Sequence, residues 1–388
     1  MSSDHRFLPA ALEPALLAGL IDYAGIFPPA QLALRDAVAE YRELLAGSHA
    51  AIVGPFLVRS SLLAELDRIG APSDWPVGVV VDEPLAEAVD RMLSSTRRIV
   101  QIELPVRDAD DDRKVADQLD RLSDSQVVFA EPAGTSPIAD QVARIARLGR
   151  GNRGVRAKLR TGGVTAGSTV PDSVLAGFMV ACHEHDLAWK ATAGLHQPLR
   201  HLAASIGEVQ HGFLNVLAAA WVVEQGGSAT EIAAAIAATQ LDELAIPPGA
   251  VRRRMVSFGS CSIDEPVSAL VALGLTAAAA PVWTDVASSA DLAPGATLAV
   301  EAFGQKLVAF RTHGGGVHVL GRFCTHLGAN LARLGKVDGD RLRCGSHHWA
   351  YDATGRCVEA PGEAELPASC LPYYEVREVD GRIEVAGP

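Results

Sequence analysis

The chain is 388 residues long, 48% hydrophobic and 21% charged, with a formal net charge of −12. That length points to two domains of ordinary globular composition, and the acidic balance without a long basic run argues against a nucleic-acid partner. Gly, Pro or charge interrupts every apolar run short of a membrane span, MSSDHRFLPA lacks signal-peptide order, and six cysteines are too few for a disulfide framework, so a cytoplasmic home is expected.

The first distinctive segment is DYAGIFPPA (22–30), Pro-stiffened and polar-aromatic, which could plug or line a larger structure. Strand-like runs follow at 51–58, 77–82, 99–104, 127–131, 154–160, 187–192 and 255–259, with a weaker candidate at 210–215. Amphipathic, Ala- and Leu-rich segments at 61–70, 84–95, 110–122, 137–149 and 172–185 alternate with them. Alternating strands and helices predict a parallel sheet, and eight strands predict a (β/α)8-barrel-like domain over residues 1–276. No Gly-rich phosphate fingerprint follows the first strand, which weighs against a doubly wound sheet.

Period-two alternation gives these strands a charged side. In GVRAKLRT, Val155, Ala157 and Leu159 oppose Arg156, Lys158 and Arg160; in LAWKAT, Lys190 opposes Trp189 and Ala191. Glu103, Glu131 and Asp82 occupy matching places in IVQIEL, VVFAE and VGVVVD. With the apolar faces on helices, Asp82, Glu103, Glu131, Lys158, Arg160 and Lys190 are expected to point inward. Charges at strand ends of a barrel either line an active-site mouth or form a structural ion-pair network. On the first reading Lys158, Lys190, Glu103 and Glu131 are the catalytic candidates.

KLRTGGVT and KATAGLHQP resemble, over two short strands, the paired lysine strands of deoxyribose-phosphate aldolase. That resemblance implies an imine-forming Lys158 whose pKa is lowered by Lys190. Further along, Arg252-Arg253-Arg254 reads as a solvated run leading into a strand, FGSCSIDEP (258–266) as a strand end before a helix with a buried structural Cys261, and 108–112 as a helix N-terminus. His183 and His185 share a predicted helix at a spacing that faces them apart.

The small-residue run TAAAAPVWTDV (276–286) reads as a linker, and short strands follow at 299–302, 306–311 and 317–320, with HGGG (313–316) as a hairpin turn. Cys324-x-His326 and Cys344-x-x-His347 then stand seventeen residues apart. Two Cys and two His could hold one zinc ion, but each Cys here travels with a His, as a two-iron cluster with mixed ligation requires.

This pattern resembles the Rieske [2Fe–2S] domain, here at 281–388. Leu327-Gly328-Ala329, Gly339-Asp340, Trp349, Tyr351-Asp352, Gly355, Pro361 and Gly381-Arg382-Ile383 agree with it. The resemblance implies an all-β domain holding a [2Fe–2S] cluster, with Cys324 and Cys344 on one iron and His326 and His347 on the other. His348 is the rival for His347. Ala329 and Ser346 stand where Rieske proteins of bc complexes carry a disulfide, and Trp349 where they carry a hydrogen-bonding Ser. That implies the low end of a range of about −150 to +300 mV, the ferredoxin and oxygenase branch. Cys357 and Cys370 read as core residues. His196 and His201 (HQPLRH) match the His-x4-His of the mononuclear iron in Rieske oxygenases, but Ala193 replaces the accompanying acid and Pro198 interrupts the helix.

Two functions follow. In the first the chain is an oxidoreductase whose cluster relays single electrons to or from a small-molecule reaction in the barrel. Its electron partner is then a ferredoxin or flavin reductase, because no flavin or nicotinamide fingerprint is visible. The alternative is a lyase using Lys158 and Lys190, with the Rieske domain structural, redox-sensing or docking.

Overall fold

The computed structural model describes residues 11–149, 154–277, 283–362, 366 and 371–386. The chain divides into two units, Met1–Ala279 and Ala280–Pro388. In the first, strands β1 (Ile21–Tyr23), β2 (Val53–Arg59), β3 (Val77–Val80), β4 (Ile99–Val106), β5 (Val127–Pro132), β6 (Val155–Arg160) and β7 (Trp189–Thr192) run parallel. A separate hairpin, β8 (His201–Ala203) and β9 (Glu208–Gln210), precedes the last barrel strand, β10 (Met255–Ser260). The ring closes in the order β1-β10-β7-β6-β5-β4-β3-β2.

A helix follows each barrel strand because the intervening sequence places apolar residues three and four apart. Leu85–Ser94 buries Ala88, Val89 and Met92, and Ile138–Leu148 buries Val142 and Ile145. The helix Asp112–Leu119 starts at Asp111, whose carboxylate accepts from the N–H groups of Arg113 and Lys114, so the acidic run there is a cap.

The eighth strand is not 210–215. β9 ends at Gln210, and Phe213–Glu224 is a helix buried on nearly every side. A short apolar run has no period to tell strand from buried helix, so the expected strand 210–215 overlaps the start of this helix. Barrel closure instead falls to β1, three buried residues of which Asp22 and Tyr23 begin the segment expected to plug or line the barrel. The arginine triplet also differs from expectation. Arg252 donates to the carbonyls of Leu16, Ala18, Gly19 and Val256, and Arg254 pairs with Asp186 and Glu224. These guanidinium groups tie strand and helix ends together where carbonyls would otherwise go unpaired.

In the second unit the antiparallel sheets are small. Strand Gln305–Arg311 separates two cores by alternation, Val308 and Phe310 facing one and Leu307 and Ala309 the other. The end of the expected linker is a strand, since Trp283–Ser288 pairs with Arg382–Ala386; 278–282 lie outside the described residues. Cys357 is buried in the core, as expected, and Cys370 lies outside the described residues.

Asn215, fully buried in the first turn of its helix, fixes how that helix meets its neighbours. Its amide donates to Ala235 O and Ala238 O, both at 2.8 Å, and its oxygen accepts from Arg200 N at 2.8 Å. Replacing it takes the partner from one buried and two partly buried backbone groups. Asn215→Ala is expected to lower stability by about 3 kcal/mol, read from the urea midpoint at constant slope; a loss below about 1 kcal/mol would mean that water takes over those bonds.

Candidate active site and candidate metal centre

Inside the barrel, β4, β6 and β7 bring Glu103, Lys158 and Lys190 into one buried network. Lys158 and Lys190 are cross-strand neighbours in register. Lys158 Nζ lies 2.7 Å from both Glu103 and Glu131, and Lys190 Nζ lies 2.5 Å from Glu103 and pairs also with Asp22. Gln101 and Ser257 donate to Asp22 at 3.0 Å each, and Lys190 sits 5.4 Å over the Phe129 ring. Two ammonium groups thus face three carboxylates, which offsets the cost of burying them.

The charges settle what this network can do. Burial alone would push both lysines down, but Glu103 with Asp22 or Glu131 outweighs it and holds both above the ordinary value. Burial alone would raise Glu103, but Lys158 and then Lys190 hold it at about 2. The expected lowering of one lysine by the other does not occur, because Glu103 stands between them. Protonated lysines are poor nucleophiles, so the imine reading is not favoured.

The network forms the floor of a cavity of about 940 Å³ at the C-terminal strand ends, where Glu131, Lys158 and the exposed Arg160 line the wall. Barrels place their reactive groups at this end. Asp82 is not in the network; it accepts from Ser60 and Ser61. The sequence reading missed Asp22, Gln101 and Ser257. Asp22 lies on a strand too short to alternate, and only its isolation in an apolar stretch could have marked it.

The histidines do not gather into an iron site. His196 pairs with Glu265 at 2.9 Å, His201 Nδ1 lies 3.1 Å from Leu199 O, and His211 Nε2 lies 2.9 Å from Val170 O. Among the described residues no three His, Cys, Asp or Glu side chains surround one point as a single metal ion would need. His183 reaches Glu224 from its helix.

In the second unit, Cys324 and Cys344 each open a tight loop of the same build. Cys324 N–H donates to Ala329 O and Gly328 N–H to Cys324 O; Cys344 N–H donates to Trp349 O and His348 N–H to Cys344 O. The residue four along is left-handed in both, Gly328 at φ +70° and His348 at φ +62°. Glycine takes that conformation freely, whereas histidine does so at a cost of about 1–2 kcal/mol. The next loop residue, Gly345, has no room for a side chain, since a Cβ would run into the Leu334 carbonyl.

Both thiols are buried, and the His326 and His347 rings meet edge to face with centroids 4.7 Å apart. The ring against His326 is thus that of His347; His348 faces solvent. Trp349 stacks on the other face of His326 at 4.6 Å. Nδ1 of His326 is buried without a partner, a cost of about 1–3 kcal/mol that a metal ion at that nitrogen would remove. Two buried thiols and two facing imidazoles fit a cluster with sulfur ligands on one iron and nitrogen ligands on the other. The Tyr351 hydroxyl accepts from Thr325 N–H at 3.1 Å and lies 3.1 Å from Cys324 Sγ and 3.0 Å from Thr325 Oγ1; with the Thr325 hydroxyl also donating to it, its own proton goes to the sulfur. Trp349 Nε1, like His326 Nδ1, is buried without a partner.

Because Glu103 is ordinarily near 4.5 and here about 2, its contribution to stability is complete above pH 4.5 and is lost as pH falls through about 2. Glu103→Gln is expected to cost about 3–5 kcal/mol at neutral pH and to flatten the acid limb of the stability profile; an unchanged acid limb would show that other carboxylates carry it.

Residues 282–374 match the family model described as the Rieske [2Fe-2S] domain. The cholesterol 7-desaturase nvd of Bombyx mori is 37% identical over 102 residues, 26% of this chain and 22% of that protein. The oxygenase component of a 3-ketosteroid-9-alpha-monooxygenase from Rhodococcus rhodochrous is 38% identical over 85 residues, 22% of each chain. The structure of NdmA from Pseudomonas putida CBB5 with caffeine is similar at 28% identity and a TM-score of 0.25, over 26% of this chain and 32% of that one. The chain thus spans about a fifth of the length of these curated relatives. A closed eight-stranded parallel barrel is followed in this chain by a Rieske [2Fe–2S] domain at residues 282–374.

Proposed function

We propose that the chain is an oxidoreductase in which the cluster passes single electrons to or from a reaction on a small molecule in the barrel cavity. The observation that carries this reading is the pairing of two buried thiols with two facing imidazoles inside a Rieske domain. Cys324 and Cys344 are the sulfur ligands, and His326 and His347 the nitrogen ligands. When bound, such a cluster takes up and gives back one electron at a time.

The chain's own residues do the rest. Leu331, Leu342 and Trp349 pack against the two cysteines and keep water from them. Tyr351 donates to Cys324 Sγ, which favours the more negative, reduced state. His347 is exposed and offers its ring edge to an electron partner, a ferredoxin or flavin reductase. In the barrel, Lys158 holds its proton toward the cavity and can donate it to a substrate oxygen, while Glu131, partly open to solvent, accepts one. Free thiols at Cys182 and Cys261 suit a reducing compartment, and we place the protein in the cytoplasm.

The ligand set is tested by iron content and the paramagnetic resonance of the reduced protein. His347→Ala is expected to abolish the signal, and His348→Gly to keep it while relieving the left-handed strain. The reverse outcome would move the ligand to His348. Coupling to the barrel is tested by reducing the protein without oxygen and screening small carbonyl compounds, acids and alcohols for rapid reoxidation. A compound that works should lose its effect by about 100-fold or more in Lys158→Met; equal rates in the variant would detach the barrel from the electron path.

A further inference from the structure

We propose that Cys261, His196 and Glu265 form a second reactive centre at the barrel mouth, a thiol nucleophile, its base and an orienting carboxylate, which takes the acyl group from a small ester or thioester. Cys261 follows β10 directly, His196 follows β7, and Glu265 lies in the first turn of the helix Asp264–Ala272. All three line the cavity described above. No metal or redox step is involved, so this centre stands apart from the electron relay.

The hydrogen bonds fix the roles. His196 Nδ1 lies 2.9 Å from a Glu265 carboxylate oxygen, which can only accept, so the ring proton sits on Nδ1. That leaves the lone pair on Nε2, which lies 3.9 Å from Cys261 Sγ. Gln197 and Glu265's own helix position hold the carboxylate, through Gln197 Nε2 at 3.4 Å and Glu265 N–H to Ser262 Oγ at 3.2 Å. This is the order of nucleophile, base and orienting group that acyl transfer uses on many folds.

Burial pushes the Cys261 thiol above its ordinary value, while the Ala30 N–H hydrogen-bonds the sulfur and opposes that rise. Burial thus favours the protonated thiol, and attack needs a base. As sulfur bonds to the acyl carbon, its proton passes to His196 Nε2. The carbon–oxygen or carbon–sulfur bond to the leaving group then breaks, and His196 returns the proton to the departing atom. The products are an S-acyl Cys261 and a free alcohol or thiol, with no change in oxidation state. Water, activated by the same nitrogen, regenerates the thiol and releases the acid. Lys158 on the same cavity wall is already held by Glu103 and Glu131, so the exposed Arg160 is the cation that favours an acyl group carrying a carboxylate of its own.

The test uses p-nitrophenyl acetate on the intact holoprotein. The expected result is a burst of one p-nitrophenolate per chain, with the acetyl group found by mass spectrometry on Cys261 and not on the fully buried Cys182. Cys261→Ala should abolish the burst. His196→Asn should slow it by about 100-fold or more, and Glu265→Gln, a change at a half-exposed rim position, should slow it less. Thermal unfolding of each variant separates these effects from misfolding. Acetyl groups spread over lysines, or an unchanged burst rate in Glu265→Gln and His196→Asn, would overturn the proposal.

Discussion

One carboxylate organises the barrel. Glu103 reaches Lys158 with one oxygen and Lys190 with the other, and through them joins Glu131 at the rim to Asp22 at depth. Remove that charge and two ammonium groups on adjacent strands face each other in a nearly dry interior, where like charges repel far more strongly than in water. The wall of the cavity is firm for the same reason. Each lysine is held by two anions, so Lys158 has little freedom to leave the place from which it addresses the cavity, and Lys190 is fixed beneath it.

Much of this was legible in the sequence, and the reason is periodicity. Lys158, Lys190 and Glu103 alternate with apolar residues along strands long enough to show a two-residue period, so their inward direction could be read before any coordinates. Asp22 could not, because three residues carry no period. The helix from Phe213 failed for the opposite reason: a segment buried on all sides has no polar face to set the phase. What each lysine meets also lay beyond the sequence. Pairing two lysines suggests mutual repulsion and a lowered pKa, whereas an interposed glutamate gives the opposite sign.

The second unit was read more fully, because its chemistry is local. Spacing within a loop of six residues sets where each Cys and His can point, and both loops close with the same pair of backbone bonds. The left-handed residue that ends each loop is a Gly in one and a His in the other, and only the Gly announced itself in the sequence. The Tyr351 contact to Cys324 crosses from a neighbouring strand, so no spacing rule contains it. Cys261 is buried, as its sequence context implied, but the histidine beside it comes from a strand end far away in the chain and no local pattern could show it.

The placement of β1 reaches into the time course of synthesis. Ile21, Asp22 and Tyr23 are made long before their partners Phe258, Gly259 and Ser260. Until then β1 is paired on one edge only, to β2, and Asp22 waits without the Ser257 that bonds it. Contacts this distant in sequence form slowly, since a long chain must close before any of them is gained. A ribosome that stalls before residue 260 therefore releases an open, sticky sheet with a charged interior, the kind of species that chaperones hold. The barrel can close only once β10 is made, shortly before the Rieske domain follows in the chain.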